Sequence, residues 1–329
     1  MSEWDSGKND GKPGWNDQPV AAAGANEGKQ SRQDRKLIEK LVMSMQVEQR
    51  RSRRWGIFFK FLTFGYLFAL VLLFKFPLGQ SLETASGIHT AIISVDGPIA
   101  ADELASADNI VSSLRAAFEE PDAAAVILRI NSPGGSPVQS GYVYDEIKRL
   151  RADYPDKKVY AVISDVGASG AYYIASAADE IYANRASLVG SIGVVAGGFG
   201  FTEVMEKLGV ERRLYTAGES KGFLDPFSVE KPEEVAFWQG VLENTHGQFI
   251  AAVRQGRGER LADDPKLFSG LVWSGEQALE LGLIDGLGSS SHVARQIVGH
   301  EDMVDYSRKR SPLLNLMDQL GVSVGHGVA

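Results

Sequence analysis

Polar and apolar positions divide this chain into stretches of different period. Residues 1–31 are rich in Gly, Asn, Asp, Lys and Ser with no hydrophobic repeat, the composition of a disordered tail. In residues 32–54, Leu37, Ile38, Leu41, Val42 and Met45 recur at helical spacing, which predicts an amphipathic juxtamembrane helix ending in Arg50, Arg51, Arg53 and Arg54. The apolar pattern then becomes continuous. Between Trp55 and Phe76 the only charges are Lys60 and Lys75, both near the ends, where long side chains can snorkel. A bilayer-spanning helix needs about 20 apolar residues, so residues 55–77 are expected to form one transmembrane anchor. A buried core helix would rarely be apolar all round at this length. A cleavable signal peptide would begin nearer the start and end in a small-residue site. The Arg cluster on the amino side predicts a cytoplasmic N-terminus with the large domain on the other side.

After a short stalk, residues 78–87, the period changes again. Thr90–Val95, Ala124–Ile130, Val159–Ile163 and Glu180–Ala183 read as strands, and Arg212–Tyr215 is strand-like. Between them, Glu103–Glu119, Val138–Ala152 and Ala171–Ala178 read as helices, and Glu233–Val253 is amphipathic. Strands apolar on both faces, alternating with helices, predict an α/β fold: a parallel sheet with helices on both faces. The domain is expected over residues 88–300, followed by a C-terminal segment, 301–329.

Charge and composition narrow the function classes. Residues 1–77 carry a net charge of +5 and the remainder −13. So acidic a body argues against nucleic acid as a partner. With no Cys there is no thiol nucleophile, disulfide or Cys-built metal site. The five His (His89, His246, His292, His300, His326) show no metal-ligand spacing, so neither a metal nor a cofactor is expected. Ala196-Gly197-Gly198-Phe199-Gly200 lacks the strand–turn–helix setting of a nucleotide loop and reads as a tight loop.

Three segments carry candidate chemistry. Asn131-Ser132-Pro133-Gly134-Gly135-Ser136 follows one apolar strand, and its glycines allow backbone N–H groups to converge; an ordinary Gly-Pro loop is the plainer reading. Asp165-Val166-Gly167-Ala168-Ser169-Gly170-Ala171 follows the next strand and opens a helix. There a serine hydroxyl is presented at the sheet edge beside free N–H groups. Ser169 could instead be a helix cap, although a cap does not require small residues on both sides. A nucleophilic serine needs a base. Lys221, flanked by Gly218, Gly222, Phe223 and Leu224, could be desolvated into its neutral form, whereas an isolated Lys is usually solvated. His246, His292 and His300 with Asp285 keep open a Ser-His-Asp hydrolase, but the elbow pattern G-x-S-x-G is broken at Ala171.

In order and spacing, Asn131–Ser136, Gly167–Ala171, Gly190-Ser191-Ile192-Gly193-Val194 and Gly218–Asp225, behind a membrane anchor, resemble the bacterial signal peptide peptidase A family. The likeness is to its short form with one catalytic domain, within the Clp/crotonase superfamily, and covers about residues 55 to 290. Val272–Asp285 resembles a helix-turn shared across that superfamily. The resemblance implies a serine endopeptidase with a Ser-Lys dyad: Ser169 as nucleophile, Lys221 as base and Ser191 helping to hold the lysine. It implies oxyanion donors at the N–H groups of Gly170 and of Gly135, preferred to Gly134. It further implies remnant signal peptides as substrates and dome-like homo-oligomers such as octamers whose sites are shared between subunits. The location implied is the bacterial inner membrane, with the catalytic domain periplasmic. A Clp-type triad has no support, because Ile192, Gly193 and Val194 occupy the region of its histidine, and nothing explains a CoA site. An inactive scaffold binding membrane peptides in the same groove is a further alternative.

Overall fold

The computed structural model describes residues 39–40, 43, 51, 53–70 and 87–309. The chain forms two compact units, residues 1–79 and 80–329. In the first, residues 53–70 are helical and their side chains are exposed as far as residue 69. Among the described residues no helix is long and apolar enough to cross a membrane. The described helix begins with Arg53 and Arg54 ahead of the apolar run and carries Lys60 within it, and the remainder of the run from residue 71 lies outside the described residues. So do the expected tail, most of the amphipathic helix, the stalk up to residue 86 and residues 310–329.

The second unit is built on one sheet of eight strands: β1 (His89–Asp96), β2 (Ala123–Ser132), β3 (Lys158–Ala168), β4 (Glu180–Ala183), β5 (Leu188–Gly190), β6 (Val272–Ser274), β7 (Gly286–Leu287) and β8 (Met303–Asp305). The order is β6-β5-β3-β2-β1-β8, and every pairing is parallel except β5 with β6. Strand β3 is a fork. Its first half, Tyr160–Ile163, pairs with β4 and its second, Val166–Ala168, with β5. β4 continues the other branch to β7.

The continuous apolar runs are explained by burial on both faces. Ala91, Ile93, Val95, Val126, Leu128, Ile130, Val159, Ala161 and Ile163 face the larger core. Ile92, Ile127, Tyr160, Val162 and Tyr182 face a second, smaller one with Val293 and Ala294. The helices are α1 (Ala107–Glu119), α2 (Pro137–Asp153), α3 (Gly170–Ala175), α4 (Thr202–Leu208), α5 (Pro232–Arg257) and α6 (Gly275–Glu280), with a last short helical segment over residues 290–298. The larger core takes Ile110 and Leu114 of α1, Val143 and Ile147 of α2, Tyr172 and Ile174 of α3, and Phe249 and Val253 of α5. At α2, Pro137 occupies the first turn and Ser136 Oγ accepts the Gln139 N–H at 3.3 Å, so the glycine loop passes directly into a capped helix.

Two expectations shift. The helix expected from Glu103 starts at Ala107, because a turn in which Ser106 N–H donates to the Glu103 carbonyl precedes it. Arg212–Tyr215 is not a strand: it lies in an exposed arm, residues 193–231, in which no residue is buried and which offers those residues no sheet edge to pair with.

Helix α5 is fixed to the sheet by an ion cluster around the buried Arg257. Asp285 accepts from Arg257 at 2.6 and 2.9 Å, from Arg260 at 3.0 Å and from the Ile181 N–H at 2.7 Å, and the Arg257 side chain is 1% exposed. Burial pushes the Asp285 carboxyl up, but the hydrogen bonds and charge of Arg257 outweigh it and hold the group below the usual carboxylate range.

Candidate active site

The carboxyl ends of β2, β3 and β5 meet at one place. Ser132 pairs with Gly167, and Ala168 with Gly190, so the first two motifs and the Gly190–Val194 segment are neighbours. Asn131 links the first two again, its Nδ2 donating to Asp165 Oδ2 at 3.4 Å and its Oδ1 accepting the Val166 N–H at 3.3 Å.

Ser169 is the hinge between β3 and α3. Its backbone lies at φ 52°, ψ −125°, the first central position of a type II′ turn, which side chains rarely adopt. Two hydrogen bonds enforce it: Ser169 N–H to the Gly190 carbonyl at 2.8 Å, and Tyr173 N–H to the Ser169 carbonyl at 2.9 Å. Although Ser169 stands at the cap position of α3, its hydroxyl makes no capping hydrogen bond, so capping does not account for it. The hydroxyl has no partner among the described residues, and the residue is half-buried.

Two backbone amides are free beside it. Gly170 opens α3, so its N–H has no acceptor within the helix. The Gly135 N–H also lacks a partner among the described residues, whereas that of Gly134 donates to Ser132 Oγ at 3.1 Å. A Cβ on Gly170 would lie 3.3 Å from the Gly135 nitrogen, so the backbones that carry these two amides are close neighbours. Gly134, at φ +96°, lies so close to the serine turn that a Cβ there would be 2.7 Å from the Ala168 carbonyl and 2.8 Å from Ser169 Cβ. No larger residue fits.

Ser191 lies one residue beyond Gly190, also at positive φ (51°), with its N–H on the Leu271 carbonyl at 2.7 Å. Beside it Trp273, on the antiparallel neighbour β6, buries an indole N–H that has no acceptor among the described residues. Nothing in the sequence pattern singled Trp273 out.

Lys221 differs from expectation. It is exposed, and its amine forms no hydrogen bond or ion pair among the described residues, so a single chain does not join it to Ser169. The expected desolvation by its own loop is absent because Phe223 turns away onto Phe237 and Trp238 (5.9–6.2 Å between centroids). The arm is nevertheless ordered internally: Phe201 N–H bonds the Pro226 carbonyl at 2.7 Å, Phe201 stacks on Phe227, and Leu224, at φ 54°, donates its N–H to Glu234 Oε2 at 3.0 Å. Among the described residues no histidine forms a triad with Asp285, whose carboxylate is taken by Arg257 and Arg260. His89 is occupied by the Gly87 carbonyl and the Tyr306 hydroxyl, and His246 by the Ile192 carbonyl.

Residues 152–303 match the family model for peptidase family S49. A Synechocystis sp. chain named "Putative protease slr0021" is 34% identical over 214 residues, 65% of this chain and 74% of that one. The chain belongs to peptidase family S49. Serine protease SPPA, chloroplastic, of Arabidopsis thaliana is 31% identical over 244 residues, 71% of this chain and 36% of that one. A Brucella melitensis chain named Na(+)/H(+) antiporter NhaA is 50% identical over 186 residues, 56% of this chain; the chain spans only 25% of that relative's length. The S49 match, over residues 152–303, supports a serine peptidase, and the sheet and helices give that domain its mixed α/β architecture.

Proposed function

We propose that the protein is a membrane-anchored serine endopeptidase that degrades remnant signal peptides through an acyl-enzyme, with Ser169 as nucleophile and Lys221 as its base. One observation carries the reading: a serine hydroxyl with no partner, held at positive φ, beside the two free amides of Gly135 and Gly170. Attack by Ser169 Oγ on a scissile carbonyl places the developing oxyanion where those amides donate, while a neutral amine takes the hydroxyl proton and later delivers it to the leaving nitrogen. Gly134, whose N–H already donates to Ser132, serves by its absent side chain instead.

The exposed, unpartnered amine of Lys221 supports a base supplied to a neighbouring copy. So do the apolar side chains displayed along the arm, with Val195 at 92%, Tyr215 at 89% and Phe199 at 81% exposure, the kind of surface a further copy would cover. Burial in that assembly would desolvate the amine and favour its neutral form. The apolar run at residues 55–77 supports anchoring in a bacterial inner membrane, with the peptidase domain periplasmic and apolar peptides as substrates.

The test uses full-length protein, a peptide with an apolar stretch and a serine-directed phosphonate. Ser169→Ala and Lys221→Ala are each expected to lose turnover, His292→Ala to keep it, and the phosphonate to label Ser169. Mixing the two inactive variants before assembly is expected to restore activity, since some sites then combine an intact serine with an intact lysine. Full turnover by Lys221→Ala overturns the dyad, and failure of the mixture to recover overturns the shared site.

A further inference from the structure

We infer that His246, on α5, is a positioning residue for the serine turn, acting through the Gly190–Ile192 segment; the inference rests on Ser169 being the nucleophile. His246 Nε2 lies 3.1 Å from the Ile192 carbonyl oxygen, 54 residues away in sequence. That oxygen also accepts the Gly270 N–H at 3.1 Å, so both of its lone pairs are used. A carbonyl can only accept, so Nε2 carries the hydrogen, which fixes the tautomer of the neutral ring. The imidazolium donates through the same atom, so the contact holds in either protonation state. Because Nε2 is committed as a donor, His246 cannot use that nitrogen to take a proton from a hydroxyl.

What the contact holds is specific. Ile192 is buried, and Gly193 is pressed against Gly270, where a Cβ would lie 3.0 Å from the Gly270 Cα. Immediately before it, Ser191 is kept at positive φ by the Leu271 carbonyl, and the Gly190 carbonyl accepts the Ser169 N–H. The path from His246 to the nucleophile is therefore Nε2–H to the Ile192 oxygen, two peptide units, then the Gly190 oxygen to Ser169 N–H. Each end is a hydrogen bond to backbone. Releasing the His246 end lets residues 190–192 relax away from a conformation that non-glycine residues resist, and the acceptor that fixes Ser169 moves with them.

The experiment compares His246→Phe, which keeps an aromatic ring without the donor, with His246→Gln, whose amide nitrogen can replace Nε2. Both are made in the full-length protein and assayed for peptide turnover, the rate of Ser169 phosphonylation and thermal unfolding. One lost hydrogen bond acting on the reacting geometry is expected to lower kcat and the phosphonylation rate about tenfold in His246→Phe with KM nearly unchanged, and His246→Gln is expected to recover most of it. If His246→Phe turns over like wild type, or if Gln does no better than Phe whatever their melting temperatures, the positioning role is refuted. Should Ser169→Ala keep its turnover, the nucleophile assignment itself falls and this inference with it. Loss of activity in Ser169→Ala alongside a fully active His246→Phe removes only the inference.

Discussion

Replacing Ser169 by glycine should stabilise the protein while abolishing its activity, and replacing it by alanine should abolish activity without that gain. The hydroxyl makes no hydrogen bond among the described residues, so its removal in Ser169→Ala sacrifices little stability. The Cβ is different, because at φ 52°, ψ −125° a side chain costs about 1–3 kcal/mol. Glycine relieves that cost but has more freedom to lose on folding, which offsets about 0.5–1 kcal/mol. The net expectation is that Ser169→Gly exceeds Ser169→Ala by about 1 kcal/mol, a rise of about 3 °C in Tm for a domain of this size. Calorimetry and denaturant titration of the two variants side by side measure the difference directly, since neither has a nucleophile. If Ser169→Gly melts at or below Ser169→Ala, the turn is not strained and geometric preorganisation of the serine is wrong.

Gly134→Ala should lower turnover at least tenfold and destabilise by about 1–3 kcal/mol, because its Cβ meets the backbone on both sides of Ser169 at 2.7 Å; steady-state kinetics with a melting curve checks both. Arg257→Leu should cost about 3 kcal/mol in denaturant unfolding, since it leaves the half-buried Asp285 carboxylate with only the exposed Arg260 as counter-ion. The Glu146 carboxyl is held down to about 2 by hydrogen bonds from Arg149 and then Arg115. A folded-state value below the unfolded one makes its contribution complete above about pH 4.5 and lost as pH falls toward 2. Glu146→Gln should therefore flatten the loss of stability in that window, read from melting temperatures between pH 2 and 6, and leave the slope above pH 6 unchanged.

The sheet was legible because its central strands are buried on both faces: Ala124–Ile130, apolar but for Arg129, lies within β2. The strand-to-helix turn at Ser169 was legible from the small residues on both sides of it and the apolar strand before it. Arg212–Tyr215 misled because a β-like composition says nothing about whether a free strand edge is within reach. The environment of Lys221 was not readable from its flanking residues, since Phe223 had a partner fourteen residues further on in Phe237. His246 and Ile192 carry no spacing signal, because their contact joins a helix to a turn only through the fold. The same holds for Arg257 and Asp285, where each side chain alone resembles a surface charge.

Helix α5 is what relates the arm to the serine. Near its start Glu234 accepts the N–H of Leu224, at its middle His246 holds Ile192, and at its end Arg257 is locked into Asp285 below β4. At 1.5 Å per residue these three ties span about 35 Å of one rigid element. Ser169, Ser191 and Leu224 are the non-glycine residues at positive φ among the described residues; the first two ties lead to Leu224 and to the neighbour of Ser191, and Ser169 follows through the Gly190 carbonyl. Ser169 and Ser191 are braced by the sheet, but Leu224 belongs to an arm with no buried residue, so its conformation depends on the carboxylate that α5 presents. Strain persists only where the surroundings over-determine it. Breaking the Glu234 tie should thus disturb the loop that carries Lys221 while leaving the serine turn as it is, whereas breaking the His246 tie should do the reverse.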